Sequence, residues 1–194
     1  MEKNKMSINE IKEGAKAIIS ALKINLEDPN FKDTPDRIAR MYAELLEGSF
    51  PEAKEELNKL LSVTFPCDYD EMVVVRDIKC WGMCPHHFLP VSYNIHIAYL
   101  PDKKVIGISK IPRMAVLLAK RPVLQEQLTK DITEKLSSIL SPKGAAVVII
   151  GQHLCMKIRG AKQDISSVVT SSVIGVFRDD CSVKSEFLKL CNIT

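Results

Sequence analysis

The first sixty residues carry apolar positions at helical spacing. The segment SINE, which begins at Ser7, is typical of a helix N-terminus, because Ser and Glu three residues apart can each cap a backbone N–H. Apolar residues then recur every three or four positions, at Ile8, Ile11, Ala15, Ile18, Ile19 and Leu22. A second helix is predicted in DTPDRIARMYAELLEG, residues 33–48, with Pro35 near its first position. The break FPCD at 65–68 ends this helical region.

From Met72 onward the pattern changes to short runs rich in β-branched and aromatic residues, which favour strands. Six runs are strand candidates: 72–79, 88–100, 104–108, 145–151, 154–159 and 165–177. The segment LPDKKV at 100–105 predicts a hairpin turn between the second and third of them. Helices are predicted between and after the strands, at 109–120, 122–140 and about 182–191. The pattern predicts an α+β fold with an antiparallel sheet in residues 66–194, preceded by a helical region in residues 1–65.

Composition and charge narrow the class of protein. The chain has 194 residues, of which 46% are hydrophobic and 26% charged, as expected for one substantial globular domain with a small appendage. A formal net charge of +3 is too small to argue for a nucleic-acid partner. No apolar run reaches the length of about 18 residues that a membrane span needs, and the N-terminus is too polar for a secretory signal. We therefore expect a cytoplasmic protein with no membrane partner.

Cysteine and histidine concentrate in two short segments. The chain has six cysteines and four histidines, and without a secretory signal the thiols are expected to be reduced or metal-bound. In CPHH, Cys84 and His87 have the spacing C-x-x-H. In GQHLC, His153 and Cys155 are two apart, which would place them on the same face of an extended strand.

If the two segments meet, they supply a zinc-type ligand set. Cys84, His87 and Cys155 offer two thiolates and an imidazole, which are ligands that zinc favours. His86 and His153 would remain beside the metal without binding it. Three protein ligands are typical of a catalytic zinc, which keeps one position open for water or substrate.

Two other interpretations remain open at this point. A C-x-x-H spacing alone also arises by chance, because Cys is common in cores and His on surfaces. Cys80 and Cys84, together with both histidines of CPHH, could instead form a structural site that needs nothing from residue 155. His96 lies between two isoleucines in an apolar run and is predicted to be a residue of the sheet face.

Five motifs in order resemble those of the GTP cyclohydrolase I family: CPHHFLP, IGISKIPR, RPVLQEQLT, HLCMKIRG and TSSVIGVF. The helix TPDRIARMY fits the same family, so the resemblance spans about Thr34 to Leu188. Its members are zinc enzymes that make dihydroneopterin triphosphate from GTP. The resemblance implies the tunnelling fold, an antiparallel sheet with two helices on one face. It also implies a toroidal homo-oligomer, a decamer, in which sheets join edge to edge into a barrel and active sites lie between subunits.

The resemblance further implies roles for individual residues. Three zinc ligands and two acid/base histidines are implied, namely Cys84, His87 and Cys155, then His86 and His153. Glu126 would anchor the guanine base, with Gln125 as a neighbour. The triphosphate would be bound by a hydroxyl and five cationic side chains: Ser109, Lys110, Arg113, Arg159, Arg37 and Arg40. Without the resemblance, cationic pairs at such spacing are usually solvated surface.

One position departs from the family's motif. Pro85 stands where most members have Glu, which removes a carboxylate and a backbone N–H next to the ligands. Two other classes of protein fit part of the pattern. A catalytically lapsed zinc-binding scaffold would lack acid/base residues, and pyruvoyl-type or nitrile-reductase relatives of the same fold use other ligand or nucleophile sets. The Cys-His-Cys pattern with two further histidines favours the cyclohydrolase.

Overall fold

The computed structural model describes residues 7–193. Within that range the α-helices are α1 (Ile8–Ala21), α2 (Thr34–Leu45), α3 (Pro51–Leu61), α4 (Lys110–Ala119), α5 (Gln125–Leu140), α6 (Leu154–Lys157), α7 (Val176–Asp179) and α8 (Cys181–Leu190). The strands are β1 (Thr64–Pro66), β2 (Val73–Met83), β3 (Pro90–Leu100), β4 (Lys104–Ile106), β5 (Gly144–His153) and β6 (Val168–Gly175). Residues 1–6 and 194, at the two ends of the predicted regions, lie outside the described residues.

The main sheet has four strands in the order β2-β3-β5-β6, and every neighbouring pair is antiparallel. Its centre is the β3–β5 pair, which runs from Val91 opposite His153 to Leu100 opposite Gly144. β2 and β6 are the edges of this sheet. The predicted α+β class with an antiparallel sheet is therefore confirmed.

The two faces of the sheet pack against different helices. Alternate residues of a strand point to opposite faces, so Val147 and Ile149 of β5 join the main core, which also contains Ile132 of α5. Val148, between them, joins a second cluster with Phe187 of α8. α4 and α5 cover the first face, and α7 and α8 cover part of the second. The N-terminal helices α1 and α2 pack mainly on each other.

The predicted strand at 154–159 is wrong, because the chain forms the short helix α6 there. β3 begins at Pro90 and its last partner on β5 is His153, so the ladder offers no further partner. The chain turns into a helical turn instead of extending. The expectation that His153 and Cys155 share one face of a strand is therefore wrong.

The predicted hairpin at 100–105 is also wrong. β4 follows β3 closely in sequence but pairs with β1. Both sides of β3 are already occupied by β2 and β5, and Lys143 N–H donates to the Leu100 carbonyl (3.0 Å), so β4 finds no partner there. Helix α5 begins at Gln125, later than its predicted start at Pro122, because Pro122 bridges to Met83 at the end of β2.

Within the described residues, no helix combines the length and the apolar character that crossing a membrane requires.

Gly175 closes β6 in a conformation that side chains disfavour. Its φ is +56°, and an added Cβ would collide with the Lys143 carbonyl oxygen and lie 2.9 Å from the Gly144 Cα. We expect Gly175→Ala to lower the free energy of unfolding by about 2–4 kcal/mol. The control is Gly14→Ala in α1, where nothing lies within 4 Å and alanine should add about 0.5–1 kcal/mol. Denaturant unfolding of both variants checks this, and equal midpoints would contradict it.

Candidate active site

The turn after β2 places Cys84 and His87 side by side. Phe88 N–H donates to the Cys84 carbonyl (3.0 Å) and Cys84 N–H donates to the Leu89 carbonyl (2.9 Å), which closes one helical turn. Residues three apart on such a turn face the same side. Cys84 Sγ accordingly lies 3.8 Å from His87 Nδ1. The C-x-x-H spacing of the sequence thus places two potential metal-ligand atoms next to each other.

Pro85 is compatible with this turn. It occupies the first position after Cys84, and the hydrogen bonds that close the turn come from the N–H groups of Cys84 and Phe88. Proline is tolerated in a first helical turn because the N–H it lacks has no partner there. The departure from the family's motif therefore removes a carboxylate but no hydrogen bond of the turn.

Helix α6 brings the third ligand to the first two. Cys155 Sγ lies 3.7 Å from Cys84 Sγ, and the ligand atoms of Cys84, His87 and Cys155 all lie within 4.8 Å of one another. Around a tetrahedral zinc, with Zn–S about 2.3 Å and Zn–N about 2.0 Å, ligand atoms stand about 3.5–3.8 Å apart. The two distances fit that geometry, so the three residues could hold one zinc ion.

Cys80 is not part of this group. Its thiol is buried in β2, and burial raises its pKa to about 12, which disfavours the thiolate that binds metal. Among residues 7–193, the group of three metal-binding side chains that the structure brings together is the Cys84, His87 and Cys155 set. The alternative structural site on Cys80 and Cys84 receives no support.

His153 lies beside the ligand group in a partly buried position. Its Nε2 is 2.9 Å from Gln125 Oε1, and its ring meets that of Tyr93 edge-on with centroids 6.3 Å apart. Burial lowers the pKa of His153, and the negative charge of Glu126 opposes this shift. Since the neutral ring is favoured, His153 can accept a proton near pH 7.

His86 belongs to the ligand turn itself. Its side chain is exposed, and its ring centroid lies 6.3 Å from that of His87. An exposed imidazole next to a ligand imidazole can exchange protons with a bound substrate and with water. The two segments thus each contribute one histidine in addition to the ligands.

Glu126 precedes His153 in the sequence and Arg159 follows it, and both side chains are exposed. Glu126 stands in the first turn of α5 and lines a cleft of about 370 Å³ along the edge strand β6, together with Ser171 and Arg178. Arg159 follows α6, and its positive charge partly offsets the raised pKa of Cys155, which burial and Cys84 cause. Glu126 therefore faces the edge of the sheet, whereas Arg159 lies near the ligand group.

Ser109, Lys110 and Arg113 lie away from the ligand group of the same chain. Lys110 and Arg113 line a cleft of about 640 Å³ against α3, and Lys110 Nζ donates to the Val63 carbonyl (3.0 Å). Helix α4 is about 15 Å long, at 1.5 Å per residue, and its other end packs at Gly82, next to the ligand turn. Lys110 and Arg113 therefore stand in the first half of α4, whose other end is the one that packs beside the ligand turn.

Arg37 and Arg40 are exposed on α2, where each contacts its own helix. Arg37 lies 3.6 Å from the Asp33 carboxylate, and Arg40 Nε donates to the Asp36 carbonyl (3.4 Å). The same helix packs Tyr42 against Phe88 of the ligand turn, with ring centroids 6.3 Å apart. Helix α2 thus adjoins the site, but its arginines make no described contact with the ligand group.

Tyr93 is a site residue that the sequence reasoning missed. It lies opposite Gly151 in the sheet, it is 1% exposed, and its hydroxyl has no hydrogen-bond partner among the described residues. A Cβ added at Gly82 or Gly151 would press on its ring. Burial raises its pKa well above the ordinary value. The signal was Gly151 at the end of the predicted strand 145–151, because glycine in a strand often marks the close approach of a neighbour.

Comparison with known proteins agrees with this site. Residues 11–192 match the family GTP cyclohydrolase I. GTP cyclohydrolase 1 of Clostridium perfringens (strain 13 / Type A) is 38% identical over 183 residues, which cover 94% of this chain and 97% of the relative. GTP cyclohydrolase 1 of Pelotomaculum thermopropionicum is 40% identical over 183 residues, which cover 94% and 95%.

Among solved structures, the archaeosine synthase QueF-Like in its apo form aligns with 54% of this chain and 93% of its own, at 19% identity and a TM-score of 0.45. The family match and the relatives span nearly the whole chain, as the five sequence motifs predicted. The chain belongs to the GTP cyclohydrolase I family.

Proposed function

We propose that this chain hydrolyses GTP to 7,8-dihydroneopterin triphosphate and formate. The observation that carries the proposal is the meeting of Cys84, His87 and Cys155, with His153 beside them, in a member of this family. In net terms one GTP and one water give one formate and one pterin product. The sequence includes hydrolytic opening of the imidazole ring, loss of C8 as formate, an Amadori rearrangement of the ribose and closure of the new ring. No redox cofactor is needed.

The ligand geometry supports zinc as the cofactor. Cys84, His87 and Cys155 would hold the ion, and a fourth position would stay open for water or substrate. When bound there, zinc supplies Lewis-acid activation of water for attack at C8 of guanine. Backbone hydrogen bonds hold the turn at 84–88 and helix α6, the two segments that carry these ligands.

His86 and His153 are proposed to move the protons of the reaction. Opening the ring leaves a nitrogen that needs a proton, and hydration of C8 releases one. An imidazole can accept the released proton and return it as imidazolium near pH 7, and burial favours the neutral, accepting form of His153. His86 reaches the site from the exposed side of the ligand turn.

The substrate is proposed to bind across a subunit boundary. The cleft lined by Lys110 and Arg113 lies against α3, and neither residue makes a described contact with the metal-binding group of the same chain. A neighbouring copy could supply the missing half. We propose that the triphosphate meets Arg159 with a combination of residues from one or more copies: Ser109, Lys110, Arg113, Arg37 and Arg40. Guanidinium groups bind phosphate oxygens in pairs, and a helix start adds N–H donors.

The sheet edges suggest how copies would associate. β2 and β6 are unpaired edges, and they expose Trp81 (54%) and Val169 (58%). Unpaired strand edges form hydrogen bonds readily with another chain. We propose edge-to-edge pairing into the family's toroidal decamer, with the tunnelling fold in each subunit. The unpaired thiols of all six cysteines suit a reducing compartment, so we propose the cytoplasm as the location.

Glu126 is proposed to read the guanine base. Guanine offers N1–H and an amine side by side to one carboxylate, whereas adenine has an unprotonated nitrogen at N1 and would be repelled. We expect Glu126→Gln to lose GTP turnover at least tenfold while keeping zinc, since the glutamine amide keeps one acceptor but turns an N–H toward the second guanine donor, and a polar group left unpaired in the bound complex costs about 1–3 kcal/mol. The parent should not turn over ATP, and it should prefer GTP to GMP because phosphate contacts are lost with GMP.

Steady-state kinetics with GTP, GMP and ATP on the parent and the variant check the role of Glu126. The control is Glu186→Gln, which changes an exposed glutamate on α8, far in sequence from the proposed site. Equal turnover of GTP and ATP by the parent, or unchanged GTP kinetics in Glu126→Gln, would contradict base reading by this carboxylate.

A further inference from the structure

Gln125 is a polar side chain at the start of α5 that is only 2% exposed. Its Nε2 donates to the Ile149 carbonyl (3.0 Å) and to the Val168 carbonyl (2.9 Å), and it lies 3.1 Å from Thr170 Oγ1. The first of these acceptors lies on β5, and the other two lie on β6. The side chain is therefore tied to the sheet and is not free to turn toward a ligand.

The acceptors determine which way the amide points. Backbone carbonyls only accept hydrogen bonds, so the nitrogen of the Gln125 amide must face Ile149 and Val168, and the oxygen must face the other way. That oxygen lies 2.9 Å from His153 Nε2. An amide oxygen also only accepts, so the hydrogen of this bond has to sit on His153 Nε2.

We propose that Gln125 is a positioning residue that holds His153 as its Nε2–H tautomer, so that the free lone pair of the ring is on Nδ1, the nitrogen that the proposed reaction would use. The catalytic half of this proposal rests on the proposed function, whereas the tautomer does not. This gives Gln125 a role other than the expected one beside the guanine base, since its amide is buried and both of its polar atoms are already bonded.

The surroundings keep this bond in place. Thr129 Oγ1 donates to the Gln125 carbonyl (2.7 Å) and lies 2.7 Å from Thr170 Oγ1, so two threonines brace the residue from the helix and from β6. A Cβ at Gly151 would collide with Gln125 Oε1, which means that β5 leaves room for the amide there. A hydrogen-bonded imidazole that cannot rotate presents one fixed nitrogen to the substrate.

Solid-state ¹⁵N NMR of the zinc-loaded parent, labelled at histidine nitrogens, reads the tautomer without turnover. The chain has four histidines, and the signals missing from His153→Asn identify His153. We expect a protonated Nε2 and an unprotonated Nδ1. A neutral His153 with its hydrogen on Nδ1 would overturn the proposal, and this measurement needs no variant of Gln125 to fold.

The variant Gln125→Met removes the hydrogen bond while keeping the length of the side chain. We expect His153 to show both tautomers, zinc to be retained and kcat for GTP to fall on the order of 10²-fold with little change in KM, within the range of general acid/base groups. The control is Gln127→Met, an exposed residue of the same helix whose amide bonds Asp131 (2.6 Å), which should leave tautomer and kinetics unchanged.

Two results would contradict the role of Gln125. An unchanged tautomer in Gln125→Met would show that the amide does not set it. A tenfold rise in KM with unchanged kcat would show that Gln125 binds the base instead. If the parent failed to turn over GTP while His153 showed the Nε2–H tautomer, the proposed function would fail and the tautomer assignment would stand.

Discussion

Replacing Cys155 by serine is expected to remove the metal and the activity together. The parent should hold about one zinc per subunit through three side chains, and a serine hydroxyl remains protonated near pH 7 where a thiolate is required. Two remaining ligands, on one turn, would not retain the ion through desalting. We expect zinc content and GTP turnover each to fall below about a tenth of the parent values. Metal analysis by mass spectrometry and a GTP assay on the same samples check this.

Cys80→Ser is the matched control for that experiment. Cys80 lies four residues before Cys84, but its thiol stays outside the ligand group. This variant should keep its zinc. Full metal content in Cys155→Ser would refute the assignment of the ligands, and metal loss in Cys80→Ser would revive the structural site on Cys80 and Cys84.

The second large effect is expected at the two histidines that do not bind the metal. His86→Ala and His153→Ala should each retain zinc and lose about a hundredfold or more in turnover, since a positioned acid/base group contributes about 10²–10⁴. The retained zinc distinguishes lost proton transfer from lost metal. His87→Ala should instead lose the ion, because His87 Nδ1 is one of the ligand atoms.

Rates and zinc content measured together decide between the possible outcomes at the histidines. Near-normal turnover in both His86→Ala and His153→Ala would remove their catalytic roles. Loss of metal from His86→Ala, with metal retained in His87→Ala, would mean that the two neighbouring histidines of the turn are assigned the wrong way round.

The metal-binding group of Cys84, His87 and Cys155 could be predicted from the sequence, but the way its members meet could not. The pairing of Cys84 and His87 with Cys155 follows from residue type and spacing, and the structure brings the three together. The sequence predicted a strand at 154–159, whereas the chain forms a helical turn there, because the β3–β5 ladder ends at the pair of Val91 and His153 and the next residue of β3, Pro90, has no N–H to donate. The end of a ladder depends on a partner sixty residues away, which a local pattern does not show.

The burial of Gln125 could have been predicted from the sequence. Gln125, Leu128, Thr129, Ile132 and Leu136 follow helical spacing and are all buried, so Gln125 belongs to the core face of α5 while Gln127 points to solvent. Applying that periodicity to the polar residues would have placed its amide inside the fold. The pairing of β4 with β1 had no comparable signal, because it depends on β2 and β5 occupying both sides of β3.

The proposed contacts between subunits cannot be predicted from the sequence of one chain. Lys110 and Arg113 are proposed to bind phosphate, yet they line a cleft against α3 and make no described contact with the ligand group of their own chain. Their spacing on α4 says nothing about which copy they serve. Mixed oligomers can be assembled from two single variants, one with Lys110→Ala and the other with Cys155→Ser. Partial recovery of activity in these mixtures would show that one site uses residues of two copies.

Incubating the zinc-loaded protein with GTP labelled at C8 tests the proposed hydrolysis of GTP most directly. Formate carries the label if C8 is expelled, and oxidation of the product gives fluorescent neopterin after phosphatase treatment. We expect labelled formate and neopterin in equal amounts with GTP, and neither product with ATP. Unchanged GTP, or formate without neopterin, in a sample that holds one zinc per subunit and is oligomeric, would contradict it.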